Sequence, residues 1–250
     1  MLTLKKSLGQ HFLKDETVSS KIVEVLQMHP FKQLLEVGPG GGALTKYLVK
    51  IPSIDLKVVE LDEEKVDYLS NHFPSLKHAI ITGSILEIPC PFQGSFTMIG
   101  NFPYNISTQI VFRVIEWRKQ IDSMIGMFQK EVAQRICASP GSKDYGILSV
   151  IVQAYFTATY LFDVDEHAFN PPPKVKSGVI RLTYVGNPYG IEKHEKFLML
   201  VKTAFGQRRK QLRNPLKPYF DSNVLKDEIF TKRAEQLSVQ EFVHLLNFMK

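Results

Sequence analysis

Cysteine is nearly absent: Cys90 and Cys137 are the only two in 250 residues. That excludes a disulfide framework, and with no Cys-x-x-Cys pair and no histidine cluster at ligand spacing it predicts no metal site. There is also no uninterrupted apolar run of the roughly eighteen residues a membrane helix needs. The start, Met1-Leu2-Thr3-Leu4-Lys5-Lys6, lacks the apolar core of a secretory signal. The expectation is a cytoplasmic, reduced protein with no membrane partner. No internal repeat appears.

Two further absences narrow the ligand. Gln33–Val37 reads as a short buried strand running into Gly38-Pro39-Gly40-Gly41-Gly42 and then a helical pattern over Ala43–Leu48. No glycine stands at the sixth position of that loop, and Pro39 interrupts the tight turn, so this is not the dinucleotide fingerprint. Glycines there still let the backbone turn sharply and approach a ligand, beside the unpaired N–H groups of a helix start. About twenty residues on, a second buried strand, Leu56–Val59, ends at Glu60, whose carboxylate can accept both hydroxyls of a ribose. A nucleoside without a pyrophosphate satisfies both features, and S-adenosylmethionine fits best. A simple helix cap without a ligand is the competing reading.

What is present most distinctively is Asn101-Phe102-Pro103-Tyr104, directly after the apolar run Phe96–Ile99 and Gly100. Asn101 offers a neutral acceptor and an NH2 donor, suited to an exocyclic amine. Pro103 removes a backbone donor and fixes φ near −65°, which biases the loop toward presenting carbonyls. Tyr104 supplies a stacking face worth about 1–3 kcal/mol per base. Together they suit a planar, amine-bearing ring, most plainly a nucleobase. The alternative is a strand-end turn in which Pro103 stops the strand and Tyr104 packs on the core.

Strand and helix patterns alternate, which predicts an α/β fold with a mainly parallel sheet covered on both faces. Val18, Ile22 and Val25 mark a first helix, and further strands are expected near His78–Thr82, Phe96–Ile99 and Met124–Phe128. Ser107 is expected to cap a helix burying Ile110, Val111, Val114 and Ile115. A helix over Ile147–Phe156 should precede strands at Tyr160–Val164 and Val179–Tyr184, added as a hairpin at one sheet edge. Gly186-Asn187-Pro188-Tyr189-Gly190 reads as a linker. Beyond it the patterns are helical only, through Phe197, Leu198, Val201 and Phe205 and then Phe242, Val243 and Leu246, with Ser238 and Glu241 at capping-box spacing. The reading is therefore a first domain over residues 1–186 and a small helical domain over residues 187–250 that packs on it and frames a cleft.

The net charge of +6 matters less than its placement. Lys202, Arg208, Arg209, Lys210, Arg213 and Lys217 fall in a stretch without Asp or Glu, the footprint expected for phosphate contacts. A solvated helix face is the alternative. Lys5, Lys6 and Lys14 form a second basic group.

Six segments, in this order, resemble the ribosomal RNA adenine N6-dimethyltransferases. They are Gly9-Gln10-His11-Phe12-Leu13, Glu36-Val37-Gly38-Pro39-Gly40, Val59-Glu60-Leu61-Asp62, Asn101-Phe102-Pro103-Tyr104-Asn105-Ile106-Ser107, Phe169 to Ser177 and Phe205 to Asn214. The resemblance implies a Rossmann-like S-adenosylmethionine-dependent methyltransferase sheet with a small all-helical C-terminal domain. It is similar above all to the small-subunit (16S) enzymes, which dimethylate two adjacent adenines. His11, Leu13, Gly38, Gly40, Glu60, Ser84 and Asn101 would then hold the cofactor, with Glu60 on the ribose and Ser84 on its adenine. Asn101, Pro103, Tyr104 and Phe169 would form the catalytic set, Tyr104 and Phe169 closing on the two faces of the target base. Lys202, Arg208, Arg209, Lys210 and Arg213 would bind RNA. Partners would be ribosomal RNA and the small ribosomal subunit or its precursor, met as a monomer in ribosome biogenesis. The chain departs from the pattern at His11 and Ser84, where the family commonly has Asn and Asp, and at Phe102, where Leu is common. Three rivals share parts of this signature: a large-subunit rRNA methylase of the antibiotic-resistance type, a ribosome-assembly factor acting by RNA binding, and a small-molecule methyltransferase.

Overall fold

The computed structural model describes residues 11–250. Gly9 and Gln10 of the first motif, and Lys5 and Lys6, lie outside the described residues. In chain order the elements are β1 (Phe12–Leu13), α1 (Glu16–Gln27), β2 (Gln33–Val37), α2 (Thr45–Leu48), β3 (Asp55–Glu60), α3 (Glu63–His72), β4 (Ile80–Thr82), β5 (Phe96–Asn101) and α4 (Ser107–Glu116). Then follow β6 (Ile121–Gln129), α5 (Lys130–Cys137), α6 (Ile147–Gln153), β7 (Phe156–Val164), β8 (Phe169–Asn170), β9 (Ser177–Tyr184), α7 (His194–Gly206), α8 (Arg213–Leu216) and α9 (Val239–Phe248).

Seven strands form one sheet in the order β4-β3-β2-β5-β6-β9-β7. The first five run parallel, and β9 joins β6 antiparallel. Their central residues are apolar on both faces, as a sheet covered on both sides requires: Leu34, Leu35, Val58, Met98, Ile99 and Met124 are all buried. The chain leaves β2 for β3 and β4 on one side and returns to place β5 on the other. The loops after β2 and β5 therefore diverge at a topological switch point, where open α/β sheets bind ligands. A separate two-stranded ribbon pairs β1 with β8, setting Phe12 opposite Asn170 and Leu13 opposite Phe169.

The chain divides into two compact units, residues 11–133 with Thr159–Tyr184, and Gln134–Ala158 with Val185–Lys250. The second unit is helical around a core that includes Phe197, Val201, Phe230 and Phe242. It takes in Gln134–Ala158, a segment upstream of the linker at Gly186–Gly190. In α9 the capping box is present: Ser238 N donates to Glu241 Oε2 at 2.8 Å and Glu241 N to Ser238 Oγ at 3.2 Å.

Several boundaries differ from the sequence expectation. Ser107 does not cap α4. A short 3₁₀ turn over Tyr104–Ile106 leads into the helix, so Ser107 is already helical and its hydroxyl donates to the Tyr104 carbonyl at 3.0 Å. Only Thr45–Leu48 of the expected Ala43–Leu48 is regular helix, and α6 ends at Gln153 so that Phe156 can open β7. No described helix is long and apolar enough to cross a membrane.

Candidate active site

A cavity of ≈ 420 Å³ opens at the carboxyl ends of β2, β3, β4 and β5. Its first wall is the glycine loop. Gly38 (φ +65°) and Gly40 (φ +55°) occupy the left-handed region that side chains resist, which is why glycine stands there. Gly38 N donates to the Val59 carbonyl at 2.9 Å and Gly40 N to Glu60 Oε2 at 3.1 Å, tying the loop to the end of β3. The other Glu60 oxygen accepts from Asp62 N at 3.0 Å. Two backbone donors thus fix a buried carboxylate while each oxygen keeps a lone pair for a ligand.

Beneath it lies Glu36, 1 % exposed. Burial pushes its carboxyl up to about 8; the Thr45 hydroxyl, donating to Oε2 at 2.8 Å, opposes that shift, and the Glu60 charge adds to it. Burial thus favours the protonated form of Glu36.

The opposite wall is the Asn101 loop, and its geometry starts from a buried ring. Gly100 and Gly126 face each other across β5 and β6, and the Phe102 ring fills the space that two side chains would have taken. That ring is buried 5.0 Å from Phe128, anchoring the loop in the core. Asn101 Nδ2 donates to the His11 carbonyl at 3.2 Å, which orients the amide and leaves Oδ1, beside one remaining N–H, for a ligand. The Pro103 carbonyl accepts from Ile106 N at 3.3 Å; no described donor meets that of Phe102. The Tyr104 hydroxyl shares a hydrogen bond of 2.6 Å with Ser177 Oγ, and burial holds its phenol above the usual range despite that bond. The His11 ring lies along it at 5.5 Å between centroids, 29° from parallel.

The arm carrying His11 is held from three directions: the β1–β8 pairing, His11 Nδ1–H donating to the Pro171 carbonyl at 2.9 Å, and the Asn101 amide. Phe12 covers the glycine loop so closely that a Cβ on Gly40 would stand 3.3 Å from its ring. Of the residues singled out from sequence, His11, Leu13, Gly38, Gly40, Glu60, Ser84, Asn101, Pro103 and Tyr104 line this one cavity. Ser84 Oγ accepts from Leu86 N at 3.2 Å, keeping its proton to donate.

Phe169 does not line it. Pairing with Leu13 in the ribbon places its ring in the core, where it is completely buried and packed. Lys202, Arg208, Arg209, Lys210 and Arg213 are exposed in the second unit. Arg208 is partly engaged there, donating to the Lys143 carbonyl at 2.6 Å and standing 3.9 Å from Glu235. Asp165, Glu166 and His167 bring ligand atoms within 4.8 Å, but Asp165 already pairs with Lys176 at 3.1 Å.

Glu36, Leu61, Lys65 and Ile85, to which the sequence assigns no site role, also line the cavity. Leu61 and Ile85 each follow a predicted polar contact, Glu60 and Ser84, so strand-end position was the available signal. Leu61 is 52 % exposed, an apolar side chain left facing open space. The set fits an adenosine-based cofactor: a close-approach glycine loop, an oriented carboxylate for hydroxyls, and apolar side chains for a flat ring, in a volume within the roughly 300–1,000 Å³ of such sites.

The chain is 50% identical to a ribosomal RNA small subunit methyltransferase A from Cytophaga hutchinsonii, over 98% of this chain and 96% of that protein. Among solved structures it resembles a dimethyladenosine transferase from Plasmodium falciparum (TM-score 0.80, 22% identity, 96% of this chain and 99% of that one). It also resembles a 23S rRNA methyltransferase, ErmE (TM-score 0.69, 23% identity, 94% and 99%). At those identities the two structures speak for the fold alone. The sequence profile described as ribosomal RNA adenine dimethylase matches residues 1–250. The chain belongs to the ribosomal RNA adenine dimethylase family.

Proposed function

We propose that this protein uses S-adenosyl-L-methionine to dimethylate N6 of two adjacent adenines in 16S ribosomal RNA, on the small subunit or its precursor, as a step of ribosome biogenesis. The observation that carries the reading is the Asn101 amide, tethered through Nδ2 to the arm so that Oδ1 is the acceptor at the cavity wall. The curated relative at half identity bears a small-subunit name, which favours that substrate over the large subunit. A monomeric, cytoplasmic protein is part of the same proposal.

When bound, S-adenosyl-L-methionine supplies an electrophilic methyl group on a sulfonium. Gly38 and Gly40 bring backbone against it, Glu60 takes the ribose hydroxyls, and the Ser84 hydroxyl and the apolar Leu61 and Ile85 receive its adenine. The target amine has a lone pair delocalised into its ring and must lose planarity before attack. Asn101 Oδ1 and the Phe102 carbonyl accept its two hydrogens, favouring that geometry and stabilising positive charge as it grows. Tyr104, kept a neutral phenol and fixed by Ser177, stacks the base on the face away from His11. No strong base is needed, because the amine becomes acidic once it is methylated. The methylated amine sheds its proton to water, with no covalent enzyme intermediate. Lys202, Arg208, Arg209, Lys210 and Arg213 hold RNA phosphates. An adenine in a loop or end suits such a site, because a stacked one must first be extruded.

The test supplies labelled cofactor and unmethylated small subunits and maps the label. Two adjacent N6,N6-dimethyladenines are expected, and Asn101→Ala should lower transfer by about 100-fold, the usual cost of one transition-state contact. Near-normal transfer by a folded Asn101→Ala protein would refute the amine-polarisation mechanism.

A further inference from the structure

Lys65 belongs to the cavity wall yet is only 1 % exposed. A buried ammonium is costly unless its hydrogens are met. It has three N–H donors, and the described residues give Nζ one acceptor, Asp62 Oδ2 at 3.2 Å, and one aromatic face, Phe12 at 5.3 Å. A third donor is left on a side chain that borders the space where the cofactor would sit. Asp62 connects this cation to the ribose carboxylate, since its own N–H donates to Glu60 Oε1 at 3.0 Å. The chemistry is complementary: a ribose hydroxyl that gives its hydrogen to Glu60 retains lone pairs, and an ammonium is the group to fill one.

We infer that Lys65 is a sugar-binding residue of the cofactor site, donating from Nζ to a ribose hydroxyl whose hydrogen Glu60 accepts. The inference rests on the S-adenosyl-L-methionine reading above and deepens it. Glu60 alone would hold a hydroxyl from the acceptor side only. Glu60 with Lys65 fixes it as donor and acceptor at once, and so discriminates more sharply against a sugar lacking that hydroxyl.

Calorimetry with S-adenosylhomocysteine and its 2′-deoxy and 3′-deoxy forms tests this on wild type, Lys65→Met and the double variant Asp62→Asn/Lys65→Met, which removes both members of the ion pair should the single variant misfold. Wild type should bind the full ligand and lose about tenfold or more on at least one deoxy form. Lys65→Met should weaken the full ligand about tenfold yet leave that deoxy form no weaker than in wild type, the non-additivity of a shared contact. Failure of wild type to bind the full ligand overturns the cofactor reading and this inference with it. Binding by both variants within twofold of wild type, or an equal loss on all three ligands, overturns the inference alone and leaves Lys65 as an anchor for the Phe12 arm.

Discussion

Adding one methyl group at Gly126 should damage catalysis at a distance. Gly126 lies in β6, is not in the left-handed region, and pairs with Gly100 of β5, so alanine suits its backbone and the objection is steric. A Cβ there would stand 2.4 Å from Phe102 Cε2, 2.6 Å from Phe128 Cε2 and 2.8 Å from Met124 Sδ. Phe102 must give way, and the same residue joins Asn101 to Pro103. Overpacking of this kind costs about 1–3 kcal/mol, which for a chain of this size lowers Tm by about 2–4 °C per kcal/mol. The rate should fall further than stability implies, because displacing a catalytic group by about 1 Å can cost about 100-fold. Thermal unfolding and single-turnover methyl transfer at saturating cofactor would separate the two effects. Phe102→Leu, which shortens the ring that collides, should restore much of both losses in the double variant. A Gly126→Ala protein with unchanged Tm and rate would refute the argument, as would strict additivity of the two substitutions.

Glu36 predicts a pH dependence of stability. Its folded value of about 8 lies above the ordinary 4.5, so its contribution to stability is complete below about 4.5 and is lost as pH rises through about 8. Glu36→Gln should abolish that decline and, at pH 9, be more stable than wild type by at most about 5 kcal/mol; parallel urea-unfolding profiles for the two proteins at pH 5 and 9 would contradict it. Replacing Arg208, Arg209 and Lys210 together should weaken RNA binding and flatten its salt dependence while cofactor affinity stays constant. Loss of cofactor affinity in that variant would instead mark the cluster as structural, a risk concentrated at Arg208, which already bonds to Lys143.

The parts of the site legible in the sequence are those whose cause is local. Gly38, Glu60 and Asn101 each sit at the end of an apolar run, and strand ends at a switch point face one cavity whatever the rest of the chain does. His11 could be placed by resemblance, but not its bond to Asn101, because that contact joins residues 90 apart in sequence and exists only once β1 has paired with β8. The same ribbon decides Phe169: its register opposite Leu13 turns the ring to the core, and nothing in Phe-Asn-Pro-Pro-Pro encodes that register. Lys65, in the polar run Asp62-Glu63-Glu64-Lys65, reads as a solvated helix start. Asp62, three residues earlier at the start of the same helix, is a local partner; what sequence periodicity cannot bring to α3 is Phe12, from β1, whose ring covers the ammonium.

The division into units shows the limit most clearly. Sequence marks the passage into the helical unit only at Gly186–Gly190, where glycine and proline break every pattern. The chain first enters that unit between Ala133 and Gln134, inside α5, and leaves it between Ala158 and Thr159, inside β7. A helix or a strand that runs from one unit into the other keeps its periodicity across the boundary, so no change of composition or hydropathy can announce it. Only the tertiary partners differ. Gln153 Nε2 donates to the carbonyls of Ile136 and Ala138 at 3.0 and 2.8 Å, and the Tyr155 hydroxyl shares a bond of 2.9 Å with His194 Nδ1. Those bonds fasten Gln134–Ala158 to itself and to the start of α7, the first helix after the linker, which is why the second unit is longer than its linker suggests.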